Sequence, residues 1–184
     1  FALKTKRNDG HKYIPELYAR GVRNFVVTDV PEQLSHYADA NFLQVGNTLK
    51  ALQRLAAKHR EQFQVPVVGI TGSNGKTVVK EWIYQLLSPE KVITRSPRSY
   101  NSQIGVPLSV WMMNEHTELG IFEAGISEMG EMEALQPIIQ PTIGVLTNIG
   151  WAHQENFSSL QGKCMEKLQL FKDCDVIIYN GDNE

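Results

Sequence analysis

From Val67 onward, short apolar segments alternate regularly with longer segments that are predicted to be helical. The apolar segments have the length of strands, and they lie at residues 67–70, 92–94, 120–123, 143–147 and 176–179. Helices are predicted between them, at residues 76–87, 106–113, 131–139 and 160–171. Strands that are apolar on both faces are typical of parallel sheets covered by helices on both sides. The alternation therefore predicts an α/β fold with a mostly parallel sheet flanked by helices.

The N-terminal third of the chain is less regular and is predicted to be a separate, smaller α/β domain. Two strands are expected at residues 24–27 and 41–45, because both runs are short and rich in β-branched and aromatic residues. The helix that follows them should run to about residue 63 and stop before Val65-Pro66, since the residue before a proline avoids helical geometry. We therefore expect the domains to be residues 1–64 and 65–184.

The composition excludes several classes of protein. The 184 residues carry 18 Lys and Arg against 20 Asp and Glu, a formal net charge of -2, so a general electrostatic attraction to nucleic acid is not expected. No apolar run approaches the roughly 20 residues of a membrane span, so membrane insertion is not expected either. Two cysteines cannot build a disulfide framework, and we expect a cytoplasmic protein. The sequence does not indicate an oligomeric state.

The chain starts at Phe1 rather than at Met and ends at Glu184, just after a predicted strand. We therefore expect it to be a piece of a longer protein.

The strongest local motif is a glycine-rich loop between a predicted strand and a predicted helix. We expect the loop to bind a phosphate through the residues Gly72, Ser73, Asn74, Gly75, Lys76 and Thr77. Backbone N–H groups at a helix N-terminus bind anions, Lys76 would reach the β- and γ-phosphates, and the Thr77 hydroxyl would bind Mg²⁺. The strict phosphate-loop spacing would need glycine at position 70, which is Ile70. The alternative is a tight strand-to-helix turn built from small residues.

Other polar residues follow the remaining predicted strands, where ligands bind in open parallel sheets. Glu123 ends a strand and is either a Mg²⁺ ligand or a surface carboxylate. His153 lies past another strand and is either a metal ligand or a packed or surface histidine. Asn101 lies in a polar loop that enters a helix and either contacts a ligand or belongs to the helix cap.

Two lysines, Lys163 and Lys167, lie four residues apart on a predicted helix, and their default interpretation is a solvated helix face. The two cysteines, Cys164 and Cys174, have no histidine at metal-binding spacing, and we interpret them as inert small residues.

Taken together, these segments resemble the Mur ligases, the ATP-dependent amide-forming enzymes of peptidoglycan precursor synthesis. The resemblance rests on residues 71–77, 101–107, 123–125, 130–132, 147–149, 152–153 and 163–171, which stand in the family's order. The family's loop has the same glycine placement as this chain, so the departure from the strict phosphate-loop spacing supports the resemblance. A single motif is weak, but an ordered series over about 100 residues is specific.

Within the family, the chain most resembles the MurF type, which joins D-Ala-D-Ala to UDP-MurNAc-tripeptide. The matching residues include Phe1 to Lys4, Asp9-Gly10-His11 and Val79-Lys80-Glu81. The resemblance implies that residues 1–64 are part of a UDP-sugar-binding domain and that residues 65–184 are part of the central ATP-binding domain. It also implies a C-terminal domain that lies outside this chain.

The resemblance further implies roles for individual residues. Thr77 and Glu123 would bind one Mg²⁺, His153 would bind a second, and Asn148 would belong to the nucleotide site. Lys76, Asn101 and Lys167 would be the catalytic residues, acting on ATP and an acyl phosphate. Lys167 matches a family lysine that is carbamylated and supports the second metal, although this chain has Leu168-Gln169 where the family usually has Gly-Glu.

Three alternatives remain at this stage. The chain could come from another ligase of the same superfamily, of the MurE type or a folylpolyglutamate synthase. It could be a non-catalytic phosphate-loop module that binds a nucleotide. Finally, the 184 residues alone are expected to be inactive even if the parent protein is a ligase.

Overall fold

The computed structural model describes residues 1–5, 8–150, 157 and 159–182. The chain divides into two compact units, residues 1–54 and 55–184. The helices are α1 (Ile14–Ala19), α2 (Thr48–Arg60), α3 (Lys76–Leu87), α4 (Gly105–Val110), α5 (Glu131–Ile139) and α6 (Leu160–Leu168). The strands are β1 (Asn24–Val27), β2 (Asn41–Gln44), β3 (Val67–Thr71), β4 (Ile93–Arg95), β5 (Leu119–Glu123), β6 (Ile143–Leu146) and β7 (Val176–Tyr179).

The first unit is built around two short parallel strands. β1 pairs with β2 in parallel, and the rings of Phe25 and Phe42 stack across the pair with centroids 5.3 Å apart. Phe25 also belongs to the small core of this unit, with Ala2, Ile14 and Val27. The unit ends within α2, earlier than the domain boundary expected after residue 64.

The second unit contains a five-stranded sheet of order β4-β5-β3-β6-β7 in which every pair is parallel. α3 covers one face through Val79 and Ile83, which pack against Ile70 and Ile121. α4, α5 and the segment after α6 cover the other face. The predicted parallel α/β sheet flanked by helices is confirmed.

Several helices end earlier than the sequence predicts. α2 stops at Arg60 rather than near residue 63, and α4 stops at Val110 rather than at residue 113. α6 stops at Leu168 and continues as a short 3-10 helix, Gln169–Phe171. This turn carries the Phe171 ring under β6, where a Cβ on Gly144 would lie 2.6 Å from the ring. No helix in the described part of the chain is long and apolar enough to cross a membrane.

Both ends of α5 are capped by buried side chains from distant helices. At its N-terminus, Glu166 Oε1 accepts the Met132 N–H at 2.9 Å. At its C-terminus, the Arg60 guanidinium donates to the Ile139 carbonyl at 2.9 Å and to the Gln140 carbonyl at 3.1 Å. The backbone N–H and C=O groups at helix ends have no partner within the helix. These two side chains provide the hydrogen bonds that the buried backbone groups of α5 would otherwise lack.

We expect the substitution Arg60→Met to lower the free energy of unfolding by about 2–3 kcal/mol, because buried carbonyls lose their donors. Chemical denaturation measures the effect, and the matched control is Arg54→Met, which removes an exposed arginine from the same helix. Equal stability of the two variants would show that the Arg60 cap contributes nothing.

Candidate functional site

The loops that follow β3, β5 and β6 meet at one edge of the sheet. These three strands are neighbours, so their carboxyl ends lie side by side. The glycine-rich loop follows β3, Glu123 is the last residue of β5, and Thr147-Asn148 follow β6. Ligands bind at this edge in open parallel α/β sheets, and the sequence-predicted residues therefore converge where a site is expected.

Two glycines shape the loop between β3 and α3, and they do so differently. Gly72 has φ 145°, and a Cβ there would lie 2.0 Å from Thr147 Oγ1. Gly75 has φ 80° and is the N-cap of α3, and a Cβ there would meet nothing within 4 Å. The loop is thus packed tightly at its start and open at the helix N-terminus, where an anion can approach the backbone N–H groups.

The loop is anchored by the residues that follow β6. Ser73 N–H donates to the Asn148 carbonyl at 2.8 Å, and Asn74 N–H donates to Asn148 Oδ1 at 2.9 Å. Thr147 Oγ1 donates to the Asn74 carbonyl at 2.6 Å. Asn148, predicted to belong to the nucleotide site, therefore fixes the shape of the phosphate loop.

Three lysines converge on the phosphate loop and on the segment after β6 that anchors it. Lys76 Nζ donates to the Gly72 carbonyl at 2.9 Å, and Lys167 Nζ donates to the same carbonyl at 3.1 Å. Lys163 Nζ donates to the Gly150 carbonyl at 2.7 Å. Lys163 and Lys167 are only 2% and 3% exposed, so the solvated-face interpretation is wrong for both. Their partners are backbone carbonyls far away in sequence, which helical periodicity does not reveal.

Burial and mutual repulsion disfavour the charges of these lysines. The pKa of Lys167 is lowered to about 8, mainly by burial and further by the positive charges of Lys76 and Lys163. Burial also lowers the pKa of Lys76, an effect that the Glu123 carboxylate opposes. Clustered ammonium groups of this kind create a positive potential that favours a polyanionic ligand.

A hydroxyl and a carboxylate lie beside the loop as candidate metal ligands. Thr77 Oγ1 donates to Glu123 Oε2 at 2.9 Å. Glu123 is fully buried, so the surface-carboxylate alternative is wrong. Its Oε1 has no hydrogen-bond partner among the described residues. Burial raises the pKa of Glu123, while the Thr77 hydrogen bond and the charge of Lys80 lower it.

This pair fits a hard divalent cation, because Mg²⁺ takes carboxylate and hydroxyl oxygens and usually keeps several waters. The buried Oε1 without a hydrogen bond among the described residues is the observation that supports the fit. In the described part of the chain, no three His, Cys, Asp or Glu side chains form a metal cluster. His153, the predicted ligand of a second metal, lies outside the described residues.

Asn101 lies beside the strand end that carries Glu123. Its carbonyl accepts the Gly125 N–H at 2.8 Å, and a Cβ on Gly125 would lie 3.1 Å from the Asn101 side chain. The first N–H of α4 is bound instead by Ser102 Oγ, at 3.1 Å. The side chain that caps this helix is therefore that of Ser102, and Asn101 lies in the loop that borders the site.

A largely apolar cavity of about 490 Å³ adjoins the phosphate loop at the ends of β6 and β7. Thr147 and Asn148 belong both to this cavity and to the anchors of the phosphate loop. The other lining residues are Leu146, Ile149, Leu160, Gln161, Cys164, Tyr179, Asn180 and Gly181. Apolar walls with a few polar groups are typical of a pocket for a small organic ligand.

One buried charge at this edge, that of Lys80, was given no role in the predictions from the sequence. Lys80 is fully buried in α3, and its Nζ lies 3.8 Å from Glu123 Oε1. Its signals in the sequence were its place in the matching segment Val79-Lys80-Glu81 and its position three residues after Thr77, which places both side chains on one helix face.

Gly72→Ala is expected to destabilise the second unit far more than Gly75→Ala. Both positions have positive φ, which costs alanine about 1–2 kcal/mol, but only Gly72 also faces a close contact with Thr147. Thermal unfolding of the two variants measures the difference. If both lose the same stability, the close packing of Gly72 does not matter.

Known proteins match this chain over most of its length. The family model for the Mur ligase middle domain matches residues 70–184. The UDP-N-acetylmuramoyl-tripeptide–D-alanyl-D-alanine ligase of Bacillus subtilis (strain 168) is 36% identical over 185 residues, covering 98% of this chain and 40% of that protein. The chain thus spans about 40% of the length of such relatives.

Solved structures agree with the sequence comparison. MurF from Acinetobacter baumannii superposes with a TM-score of 0.88 at 30% identity, covering 97% of this chain and 39% of that one. MurF from Thermotoga maritima in complex with ADP superposes with a TM-score of 0.86 at 29% identity, covering 99% and 42%. The match of the family model to residues 70–184, which are more than half of the chain, shows that this protein belongs to the Mur ligase family.

Proposed function

We propose that this chain contains the ATP-binding part of a MurF-type ligase, which joins D-Ala-D-Ala to UDP-MurNAc-tripeptide. The proposal is carried by one observation: the open phosphate loop, the three lysines and the Thr77–Glu123 pair lie together at one sheet edge. The names of the relatives point to the same substrates, since the Bacillus subtilis protein is a UDP-N-acetylmuramoyl-tripeptide–D-alanyl-D-alanine ligase.

The site suits a reaction that brings several anions together. A terminal carboxylate oxygen of the tripeptide attacks the γ-phosphorus of ATP, ADP leaves, and an acyl phosphate results. The amine of D-Ala-D-Ala then attacks the acyl carbon, the C–O bond breaks, and phosphate leaves with the former carboxylate oxygen while the nitrogen loses a proton to phosphate or solvent. Positive groups fixed around the phosphates lower the cost of both steps, because they face charge that is already present or developing.

Several residues of the site have a place in this reaction. The N–H groups of Gly75 and Lys76 at the start of α3 hold phosphate oxygens, and the Lys76 ammonium leaves the Gly72 carbonyl to contact the β- and γ-phosphates. Asn101 borders the same space beside Gly125, where its amide can donate to the carboxylate or the transferred phosphate. The adjoining cavity is of suitable size and polarity for the adenine ring.

Thr77 and Glu123 would hold one Mg²⁺, and a bound Mg²⁺ neutralises charge on the phosphates of ATP. His153 and Lys167 are proposed for a second metal.

Lys167 is proposed to be carbamylated. The ammonium first loses a proton to solvent. The neutral nitrogen then bonds to the carbon of CO₂, one C=O π bond breaks, and the nitrogen releases a second proton, which leaves a carboxylate-like anion that suits a metal. Burial against two other lysines supports the proposal, because an ammonium there is disfavoured.

Residues 1–64, which include the first unit, are proposed to be part of the UDP-sugar-binding domain that precedes the ATP-binding domain. The first unit contains an open cavity of about 380 Å³ that Asp9, His11 and Tyr37 help to line. His11 is held firmly there, because its Nδ1 lies 2.6 Å from Asp9 Oδ1 and its Nε2 accepts the Thr28 N–H at 3.0 Å.

The alternative of a non-catalytic nucleotide-binding module requires only the phosphate loop. It does not explain why Lys163 and Lys167 are buried at this edge, or why Asn101 lies there too. The other ligases, of the MurE type or folylpolyglutamate synthases, share the chemistry and differ in the incoming amine, so the amine is the discriminating substrate.

The test is phosphate release by the complete protein with ATP, Mg²⁺ and UDP-MurNAc-tripeptide, supplied with D-Ala-D-Ala, with D-Ala or with no amine. We expect turnover only with the dipeptide. Turnover with D-Ala alone would contradict the proposed dipeptide specificity, and release independent of any amine would favour a nucleotide-binding module. The 184-residue chain alone is expected to show no turnover.

A further inference from the structure

Lys80 is a fully buried cation that the proposed reaction leaves without a role. Its Nζ donates to the Ser96 carbonyl at 2.8 Å and to the Arg98 carbonyl. It also lies 3.3 Å from Glu81 Oε1 and 3.8 Å from Glu123 Oε1. An ammonium group has three donors, and the two carbonyls occupy two of them. Lys80 is 0% exposed and cannot contact a ligand directly.

The carbonyls that bind Lys80 belong to the loop after β4, which borders the site. Arg98 in this loop has φ 47°, a conformation that costs energy for a residue other than glycine. The next residue, Ser99, places its Oγ 3.2 Å from Thr77 Oγ1. The two bonds from Lys80 therefore hold the backbone that brings Ser99 to Thr77.

Lys80 also completes the environment of the Glu123 carboxylate. Thr77 Oγ1 binds Oε2, and Lys80 lies beside Oε1. The backbone of Glu123 is fixed from the same loop, because its N–H donates to Ser96 Oγ at 3.3 Å. Removing Lys80 would leave the buried carboxylate without its nearest positive charge and would release the loop at the same time.

We propose that Lys80 is a positioning residue of the magnesium–nucleotide site, because its ammonium ties α3 to the Ser96–Arg98 backbone and holds Glu123 in the orientation that Mg²⁺ requires. This inference rests on the proposed ATP and Mg²⁺ site. Residues behind metal ligands orient them, and their loss typically weakens metal affinity by about 10- to 100-fold.

The test measures Mn²⁺ binding to the full chain in the presence of ADP. Electron paramagnetic resonance detects the bound Mn²⁺, which replaces Mg²⁺ in this experiment. We expect Lys80→Met to weaken Mn²⁺ binding by about 10- to 100-fold. Thermal unfolding shows whether the variant folds, and Lys80→Gln replaces it in the same comparison if it does not.

The matched control is Arg95→Met, which removes another cation of the same network. Arg95 donates to Glu81 Oε1 at 2.6 Å but makes no described contact with Glu123. A purely structural role for Lys80 predicts that both variants lose stability and keep Mn²⁺ affinity. The proposal predicts that only the Lys80 variant loses Mn²⁺ affinity.

A double-variant comparison gives the second readout. In a Glu123→Gln background, Lys80→Met should weaken Mn²⁺ binding by less than it does in the unaltered protein, because the carboxylate on which Lys80 acts is gone. Additive losses would overturn the proposal. Absence of Mn²⁺–ADP binding in the unaltered chain would instead contradict the proposed function, so the two failures can be told apart.

Discussion

The substitution Lys76→Met is expected to reduce phosphate release by the complete protein by about 10²- to 10³-fold, the usual cost of removing one fixed donor from a developing charge. Lys76 is the first residue of α3 and is half-buried, with its ammonium on the Gly72 carbonyl. Methionine matches the length and apolar stem of lysine, so the loop should keep its shape. The expected loss therefore belongs to catalysis and not to folding.

The control for this prediction is Lys91→Met, which removes an exposed lysine beyond the other end of α3. Both variants should unfold at the temperature of the unaltered protein, and only Lys76→Met should lose activity. Retention of activity in Lys76→Met would show that the ammonium does not act on the phosphates.

The second large effect is a loss of activity when CO₂ is removed, because Lys167 is proposed to react with CO₂. With its pKa lowered to about 8, roughly a tenth of Lys167 is neutral at pH 7, against about 3 in 10⁴ for a lysine at its ordinary pKa of 10.5. Only the neutral amine reacts with CO₂. Activity should therefore fall when CO₂ is removed, return with bicarbonate, and need less bicarbonate as the pH rises from 7 to 9.

Labelling with ¹³CO₂ gives a direct readout of this prediction. A carbamate signal is expected by nuclear magnetic resonance in the unaltered protein and in Lys172→Met, which removes an exposed lysine from a neighbouring turn. The signal should disappear in Lys167→Met, together with about 100-fold of the activity. A carbamate signal that persists in Lys167→Met would place the modification on another residue.

The order and type of the elements in the second unit could be predicted because the strands are apolar on both faces. The helices at 76–87 and 131–139 were predicted with the bounds that they have. The first helix is preceded by Gly75 and followed by Ser88-Pro89, while the second is preceded by Gly130 and ends before Pro141. Local chemistry of this kind is readable in a sequence.

The burial of charges could not be predicted from the same patterns. On α3, Val78, Trp82 and Leu86 are exposed, while Lys80 is fully buried. A hydrophobic pattern predicts the reverse, because it does not register that the partners of Lys80 are carbonyls in a loop that packs there only in the fold. The same reason makes the prediction for Lys163 and Lys167 wrong.

The sequence predicted where the candidate site lies, but it did not predict all of the contacts within the site. The loop after β3 and the strand-end position of Glu123 follow from the rule that ligands bind at the carboxyl ends of parallel strands. Whether Glu123 was buried or exposed depended on α3, whose Thr77 and Lys80 enclose it. Such tertiary contacts arise between segments that are about 40 residues apart and leave no local signal.

The central claim is that the site transfers phosphate from ATP to a carboxylate and not to water. The most direct measurement uses UDP-MurNAc-tripeptide labelled with ¹⁸O in its terminal carboxylate, together with ATP, Mg²⁺, D-Ala-D-Ala and the complete protein. The account predicts that the released phosphate carries one ¹⁸O atom, because the carboxylate oxygen leaves with it when the amide forms. Phosphate without ¹⁸O would contradict the account, since ATP would then have been cleaved by water.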